Sequence, residues 1–173
     1  MRVAVFISPM EFKDESVSRT KRILERWGIE AVMTSYTSKD CVGSHGAVYK
    51  IQINASKLSP EEFDALLLID GKGVDSFKLY DLRQLLDTVQ IFKERGRIIA
   101  GIGNALKILA RASVLGSTKV ALPPDKETAR LVVLFKGIVT ENGLEFDKNI
   151  LTAGNHDSAE ALADTLVERL GAK

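Results

Sequence analysis

The chain reads as an α/β protein with a mostly parallel sheet covered by helices on both faces. Three observations predict this. Near-continuous apolar runs at residues 3–7, 65–69 and 98–102 have the pattern of strands buried on both sides. The segments between them carry apolar residues at helical spacing. The two patterns alternate along the chain, as strand–helix–strand units do.

The elements follow in order. Residues 3–7 predict the first strand. Val17, Thr20, Leu24 and Trp27 fall on one helical face, and Gly28 ends that helix. Residues 31–36 predict the second strand. Residues 42–46 read as a turn, and Val48, Tyr49, Ile51 and Ile53 as the strand after it. Ser59, Pro60 and Glu62 supply an N-cap, a proline at the first helical position and a capping-box glutamate, so a short helix is expected before the strand at 65–69. Residues 71–73 read as a loop. Leu79, Leu82, Leu86, Val89 and Phe92 predict one long helix closed by Gly96. A strand at 98–102 meets a helix at 104–112, with Gly103 at the sharp turn between them. A short strand at 119–122 ends at Pro123 and Pro124. Residues 131–135, 137–140, 144–146 and 150–152 read as short strands, with turns at 141–143 and 147–149. The last helix is expected to start at Asp157, with Glu160 completing a capping box, and to bury Leu162, Leu166 and Leu170. No repeat or linker interrupts the pattern, so a single domain over residues 1–173 is expected.

Composition narrows the function. The 24 Lys and Arg residues nearly cancel the 23 Asp and Glu residues, which leaves no basic footprint for nucleic acid or an anionic membrane. The longest apolar runs are too short to span a bilayer. Arg2 followed by apolar residues has the outline of a weak signal peptide, but Glu11, Lys13, Asp14 and Glu15 follow with no small-residue cleavage site, so a strand is the better reading. The single cysteine, Cys41, excludes an internal disulfide and suits a reducing cytoplasm. One cysteine with His45 and His156 is too few for a typical zinc site, and no cofactor is implied.

In sheets of this kind ligands bind outside the carboxyl ends of the strands. Four loops are expected to meet there: residues 8–15, 70–74, 103–105 and 153–157. Many α/β enzymes hold a nucleophile at a strand-to-helix elbow like that at Gly103. Glycine adopts the required backbone freely but has nothing to attack with. His156 enters the last helix from the same end of the sheet, either as a group whose charge changes near neutral pH or as a solvated residue beside a helix cap. Lys13, with the backbone N–H groups of the helix beginning at Asn104, can hold an anion; the alternative is an exposed surface lysine. Gly71-Lys72-Gly73 lacks the spacing of a phosphate loop, and Gly101-Ile102-Gly103 lacks the third glycine of a dinucleotide fingerprint. Cys41 lies outside this loop set and reads as a small apolar packer. His45 reads as a turn residue. Lys21, Arg22, Glu25 and Arg26 read as solvated helix surface with helical ion pairs.

The order and spacing of segments 42–46, 63–68, 71–73, 98–102, 108–115 and 147–152 resemble the DJ-1/PfpI (ThiJ) family of class I glutamine amidotransferase-like proteins, over nearly the whole chain. The resemblance implies a flavodoxin-like three-layer sandwich. It implies a cysteine at the elbow, often followed by histidine; this chain has Gly103 and Asn104 there. It also implies a glutamate after the first strand. Alignment on Phe12 and Asp14 puts Lys13 at that position, and a shifted alignment offers Glu11 or Asp14. The arginine or proline often found after the penultimate strand is replaced by residues 154–156. The expectation is therefore a pseudoenzyme of the family, a homo-oligomer (dimer or larger). It would bind a small anionic molecule through Glu11, Lys13, Gly71, Gly73, Gly103, Asn104 and His156, or serve as an interaction module. The alternative is an active, intracellular protease-like hydrolase or a glyoxalase-type enzyme, with His156 as general base and Lys13 or backbone N–H groups as the anion hole. A third reading is a structural or chaperone-like homo-oligomer.

Overall fold

The first apolar run forms β1 (Arg2–Phe6), buried from Val3 onward. The structure, a computed structural model, describes residues 1–173. After β1 come β2 (Met10–Phe12), α1 (Asp14–Arg26), β3 (Glu30–Ser35), β4 (Cys41–Gly43), β5 (Val48–Tyr49), β6 (Ile53–Asn54) and β7 (Ala65–Leu68). The chain continues through α2 (Lys72–Ser76), α3 (Arg83–Glu94), β8 (Ile98–Ile102), α4 (Leu106–Arg111), β9 (Lys119–Val120), α5 (Lys126–Leu134), β10 (Ile138–Val139), β11 (Leu144–Asp147), β12 (Ile150–Ala153) and α6 (Ala159–Arg169).

A seven-stranded sheet runs in the order β11-β12-β8-β7-β1-β3-β6. Every neighbouring pair is parallel except β11 with β12. Its two faces explain the continuous apolar runs. Val3, Val5, Leu67 and Ala100 point to a core shared with Val17 and Leu24 of α1 and Leu162 and Leu166 of α6. Ala4, Phe6, Leu66, Leu68 and Ile99 point to the opposite core, shared with Val89 and Phe92 of α3 and Leu109 of α4. The result is the expected flavodoxin-like α/β sandwich. The strand order reverses at β1, which has β3 on one side and β7 on the other. The crevice beyond the carboxyl ends of β1 and β7 is thus the topological switch point, where such sheets take ligands. No helix is long and apolar enough to cross a membrane.

Several local expectations fail for identifiable reasons. Residues 131–134 are helical and Phe135 is the C-cap, so no strand forms: Asp125 caps α5 by accepting the Thr128 N–H at 2.7 Å, and a short apolar run has no period of its own to reveal this. Only a turn forms at Ser59–Glu62, because β7 begins too soon for a helical nucleus to grow. Residues 48–53 split between β5 and β6, which belong to different sheets. The helix expected over 79–92 breaks into a 3-10 turn, Leu79–Asp81, and α3. Trp27 lies one residue past α1 and is exposed. Glu160 does not complete a capping box. Asn155 caps the 3-10 turn before α6 by accepting the Asp157 N–H, and Glu160 instead pairs with Arg22 of α1 at 2.7 Å. Lys21 and Glu25 form the helical ion pair expected on α1.

One charged side chain is buried in the helical layer. Lys107 of α4 is 2% exposed. Its ammonium lies 2.8 Å from Asp75 Oδ1 and 3.4 Å from Glu127 Oε2, so it joins α4 to α2 and α5. Burial alone would lower its pKa; the hydrogen bond and charge of Asp75, with Glu127 and Asp125, raise it. Removing one partner of such a pair strands a charge, whereas an apolar replacement of the buried cation does not. Asp75→Ala is expected to cost about 1–3 kcal/mol in urea unfolding, while Lys107→Met stays near neutral.

Candidate functional site

The four loops expected to converge do converge. A cleft of about 260 Å³ lies over the carboxyl ends of the central strands, lined by Lys13, Asp70, Gly71, Lys72, Gly103, Asn104, Pro124, Asp125, Asn155 and His156. A fifth segment, Pro124 and Asp125 before α5, completes the wall and was not expected.

The strap β2 sets the geometry. The Lys13 N–H donates to the Asp70 carbonyl at 2.9 Å, and Phe12 bridges to Gly71. This approach requires glycine at both nearby positions. A Cβ on Gly71, at φ +140, would lie 2.4 Å from the Glu11 carbonyl oxygen, and one on Gly73 would lie 2.1 Å from that of Met10. Residues 71–73 are therefore not a free loop: Gly71 is the N-cap of α2, and Gly73 lies in the helix, against the strap and outside the cleft.

The candidates from the alignment of residues 11–14 separate cleanly. Only Lys13 lines the cleft. Glu11 takes φ +60, is exposed, and accepts a hydrogen bond from Ser76 Oγ at 3.2 Å. Asp14 accepts the His45 and Ala47 N–H groups at 3.0 and 2.9 Å and so holds the β4–β5 turn. Burial raises its carboxyl pKa, but these backbone donors outweigh that and lower it. His45 packs beside Glu15, with Nδ1 3.4 Å from its carboxylate, and takes no part in the cleft.

At the elbow, Gly103 has φ +54, the left-handed conformation expected of it. A 3-10 turn, Gly103–Ala105, follows, and α4 is six residues long, shorter than the helix expected there. Asn104 spends its amide on the neighbouring loop. Its Oδ1 accepts the Gly71 N–H at 3.0 Å, and its Nδ2 donates to the Gly71 carbonyl at 2.7 Å and to Asp75 at 3.2 Å. Cys41 is buried in β4 outside the cleft, and burial pushes its thiol pKa up.

The residue that sequence reasoning missed is Asp70. It lies just past β7, after Ile69, and is 7% exposed. Oδ1 accepts the Ser16 hydroxyl at 2.6 Å across the sheet end. Oδ2 reaches the elbow: a Cβ built on Gly103 would lie 3.1 Å from both Oδ2 and the Asp70 Cβ. The carboxyl thus stands against the space that a side chain at the elbow would enter. Burial pushes its pKa up; the Ser16 hydroxyl, its own N–H and the charges of Lys13 and His156 pull it down without cancelling the rise. A charged residue set immediately after a fully apolar strand was the available signal. His156 sits in the 3-10 turn His156–Ser158, its side chain 35% exposed, with Nε2 3.4 Å from Asp157.

Comparison with known proteins agrees with this architecture. The family model for the DJ-1/PfpI family matches residues 1–169. An uncharacterized protein of Methanocaldococcus jannaschii is 25% identical over 91% of this chain and 77% of its own. A protein of Pyrococcus horikoshii named as a deglycase is 27% identical over 92% of this chain and 90% of its own. Among solved structures, a ThiJ/PfpI domain protein from Brachyspira murdochii superposes with a TM-score of 0.92 at 24% identity, over 99% of this chain and 97% of that one. DJ-1beta of Drosophila melanogaster gives a TM-score of 0.86 at 18% identity, over 99% and 91%.

The contact between Asp70 and the elbow yields a measurable coupling. Gly103→Cys places a β-carbon in a left-handed backbone against the carboxyl and is expected to destabilise the protein by about 1–3 kcal/mol. Adding Asp70→Gly should recover part of that loss, giving a favourable coupling of roughly 0.5 kcal/mol or more in a double-mutant cycle. Strict additivity in denaturant unfolding would show that the two positions do not compete for space.

Proposed function

The chain belongs to the DJ-1/PfpI family, and we propose that it is a member without the family's nucleophile, a pseudoenzyme whose cleft binds a small anionic molecule and leaves it unchanged. One observation carries this reading: Gly103 stands at the elbow with the Asp70 carboxyl packed against its side-chain space. The nucleophile that the family resemblance implies is a thiolate, and thiol reactivity requires exposure and a lowered pKa. Cys41, the chain's one cysteine, is buried with a raised pKa. Lys13, Lys72 and His156 line the cleft and supply groups that attract an anion. Within this reading the 173 residues act as one domain in a reducing cytoplasm.

The same reading includes a homo-oligomer, a dimer or larger. The end of α6 supplies no patch for it, because Leu162 and Leu166 are buried and Leu170 is half-buried. Exposed Met10 and Val48 both register with Val42 in the small sheet of β2, β4 and β5 and offer a better contact. A monomer at micromolar concentration in light scattering would overturn this part of the reading.

A second reading keeps catalysis, because His156 and Lys13 share the cleft with a carboxyl of raised pKa. There His156 acts as general base on water. The two readings part in a methylglyoxal consumption assay, a reaction suggested by the relatives named as deglycases. The first predicts no turnover by the wild-type protein above the buffer rate. The second predicts turnover that His156→Ala abolishes with the fold intact.

A further inference from the structure

Asp70 has one oxygen committed and one free. Ser16 of α1 satisfies Oδ1 at 2.6 Å. Oδ2 has no hydrogen-bond partner in the protein and faces the space over Gly103 at the floor of the cleft. The residue as a whole is 7% exposed, and what opening it has is onto the cleft, so a ligand there can pair with that oxygen. An ionised carboxylate only accepts hydrogen bonds, whereas a protonated one also donates.

The charges round it limit what can bind. Lys13 faces it from the strap, His156 from the turn before α6, and Lys72 lines the same cleft from α2. Asp125 lines the far wall as a second acidic group; Thr128 orients it, donating its N–H at 2.7 Å and its hydroxyl at 3.0 Å. Asn104 is spent on Gly71 and Asp75. The cleft is therefore lined by two lysines, a histidine and Asp125 round a carboxyl with one open oxygen.

Resting on the reading of this cleft as an anion site, we propose that its ligand is a small monocarboxylate, bound together with one proton that Asp70 Oδ2 and the ligand carboxylate share. Two carboxylates at hydrogen-bond distance cannot both stay ionised. A proton taken from solvent forms an O–H···O⁻ bond between them, among the strongest of the ordinary hydrogen bonds. The proton-sharing pair then carries one negative charge and Asp125 supplies a second, and Lys13 and Lys72 offset the two. No covalent bond forms or breaks, and the proton returns to solvent on release. The burial that already favours protonated Asp70 lowers the cost of this state.

Acetate is the probe, followed by amide chemical shifts of Gly71 and Gly103 at constant ionic strength from about pH 5.5 to pH 8. If one proton enters with the ligand, Kd rises toward about tenfold for each pH unit above the range where free Asp70 ionises. Asp70→Asn, made in a His156→Gln background so that no histidine is left in the cleft, keeps a neutral donor and should bind acetate with Kd independent of pH. His156→Gln alone should keep a wild-type rise of Kd with pH, which assigns the proton to Asp70 and not to the histidine of the cleft. Saturable binding with no pH slope, or a slope that survives in the double variant, overturns proton sharing and leaves an anion site standing. No acetate-dependent shift in either protein at any pH overturns the anion site as well. The spectra report folding of each variant directly.

Discussion

The functional end of this molecule depends on one backbone contact, the hydrogen bond from the Lys13 N–H to the Asp70 carbonyl. It draws the strap after β1 across the end of β7, two strands adjacent in the sheet but more than fifty residues apart in the chain. Several features follow from that closeness. The strap covers the start of α2, which is why Gly71 and Gly73 carry no side chains. It lodges Lys13 on the rim of the cleft and sends Glu11 outward through a left-handed backbone. It also helps to shut Asp70 away from solvent, and burial is the largest influence on that carboxyl. A single main-chain bond contributes only about 1 kcal/mol net. Its weight here is geometric, since it decides which side chains of a long loop meet at the switch point.

A polar chain holds the opposite wall. Glu127 and Asp75 flank the Lys107 ammonium, Asp75 accepts from Asn104, and Asn104 grips both main-chain groups of Gly71. The chain runs from α5 through α4 and α2 to the loop beside the elbow. Buried polar networks are costly when incomplete and rigid when satisfied. Each member here has its partner, so the loop bearing Asp70 is braced from the strap on one side and from Asn104 on the other. A carboxyl with one free oxygen is thereby held in place by neighbours that make no contact with that oxygen.

Much of the fold was legible because strands buried on both faces must be apolar throughout. Residues 3–7, 65–69 and 98–102 carry that demand openly, and their alternation with amphipathic helices leaves few architectures to choose from. Residues 131–135 misled for the complementary reason. Val133 and Leu134 are apolar yet exposed, so composition mimicked a buried strand where a capped helix stands. The site was legible in outline, because strand ends must meet at the switch point whatever the loops contain. Lys13, Gly71, Gly103, Asn104 and His156 line the cleft, while Glu11 and Gly73 fall outside it. What stayed hidden was set by contacts remote in sequence. The burial of Asp70 depends on Ser16 and the strap, and nothing in residues 65–74 alone reports either.

The elbow and the aspartate are best understood as one arrangement. A β-carbon at Gly103 would stand 3.1 Å from the Asp70 Cβ and Oδ2, tight enough that one of the two positions must shift by a few tenths of an ångström. A carboxyl and a thiol differ in what they do at such a floor. A thiol at an elbow is held by a strained backbone and reacts through its thiolate. A carboxyl at the end of β7 is held by a hydroxyl and by burial, and both states of its proton are useful for binding: one donates to a ligand, the other repels an anion. Lys13 and His156 pull the pKa of the same carboxyl down against the larger effect of burial, so the rim and the floor are linked electrostatically. Any ligand that enters must satisfy both together, and that coupling follows from the packing alone.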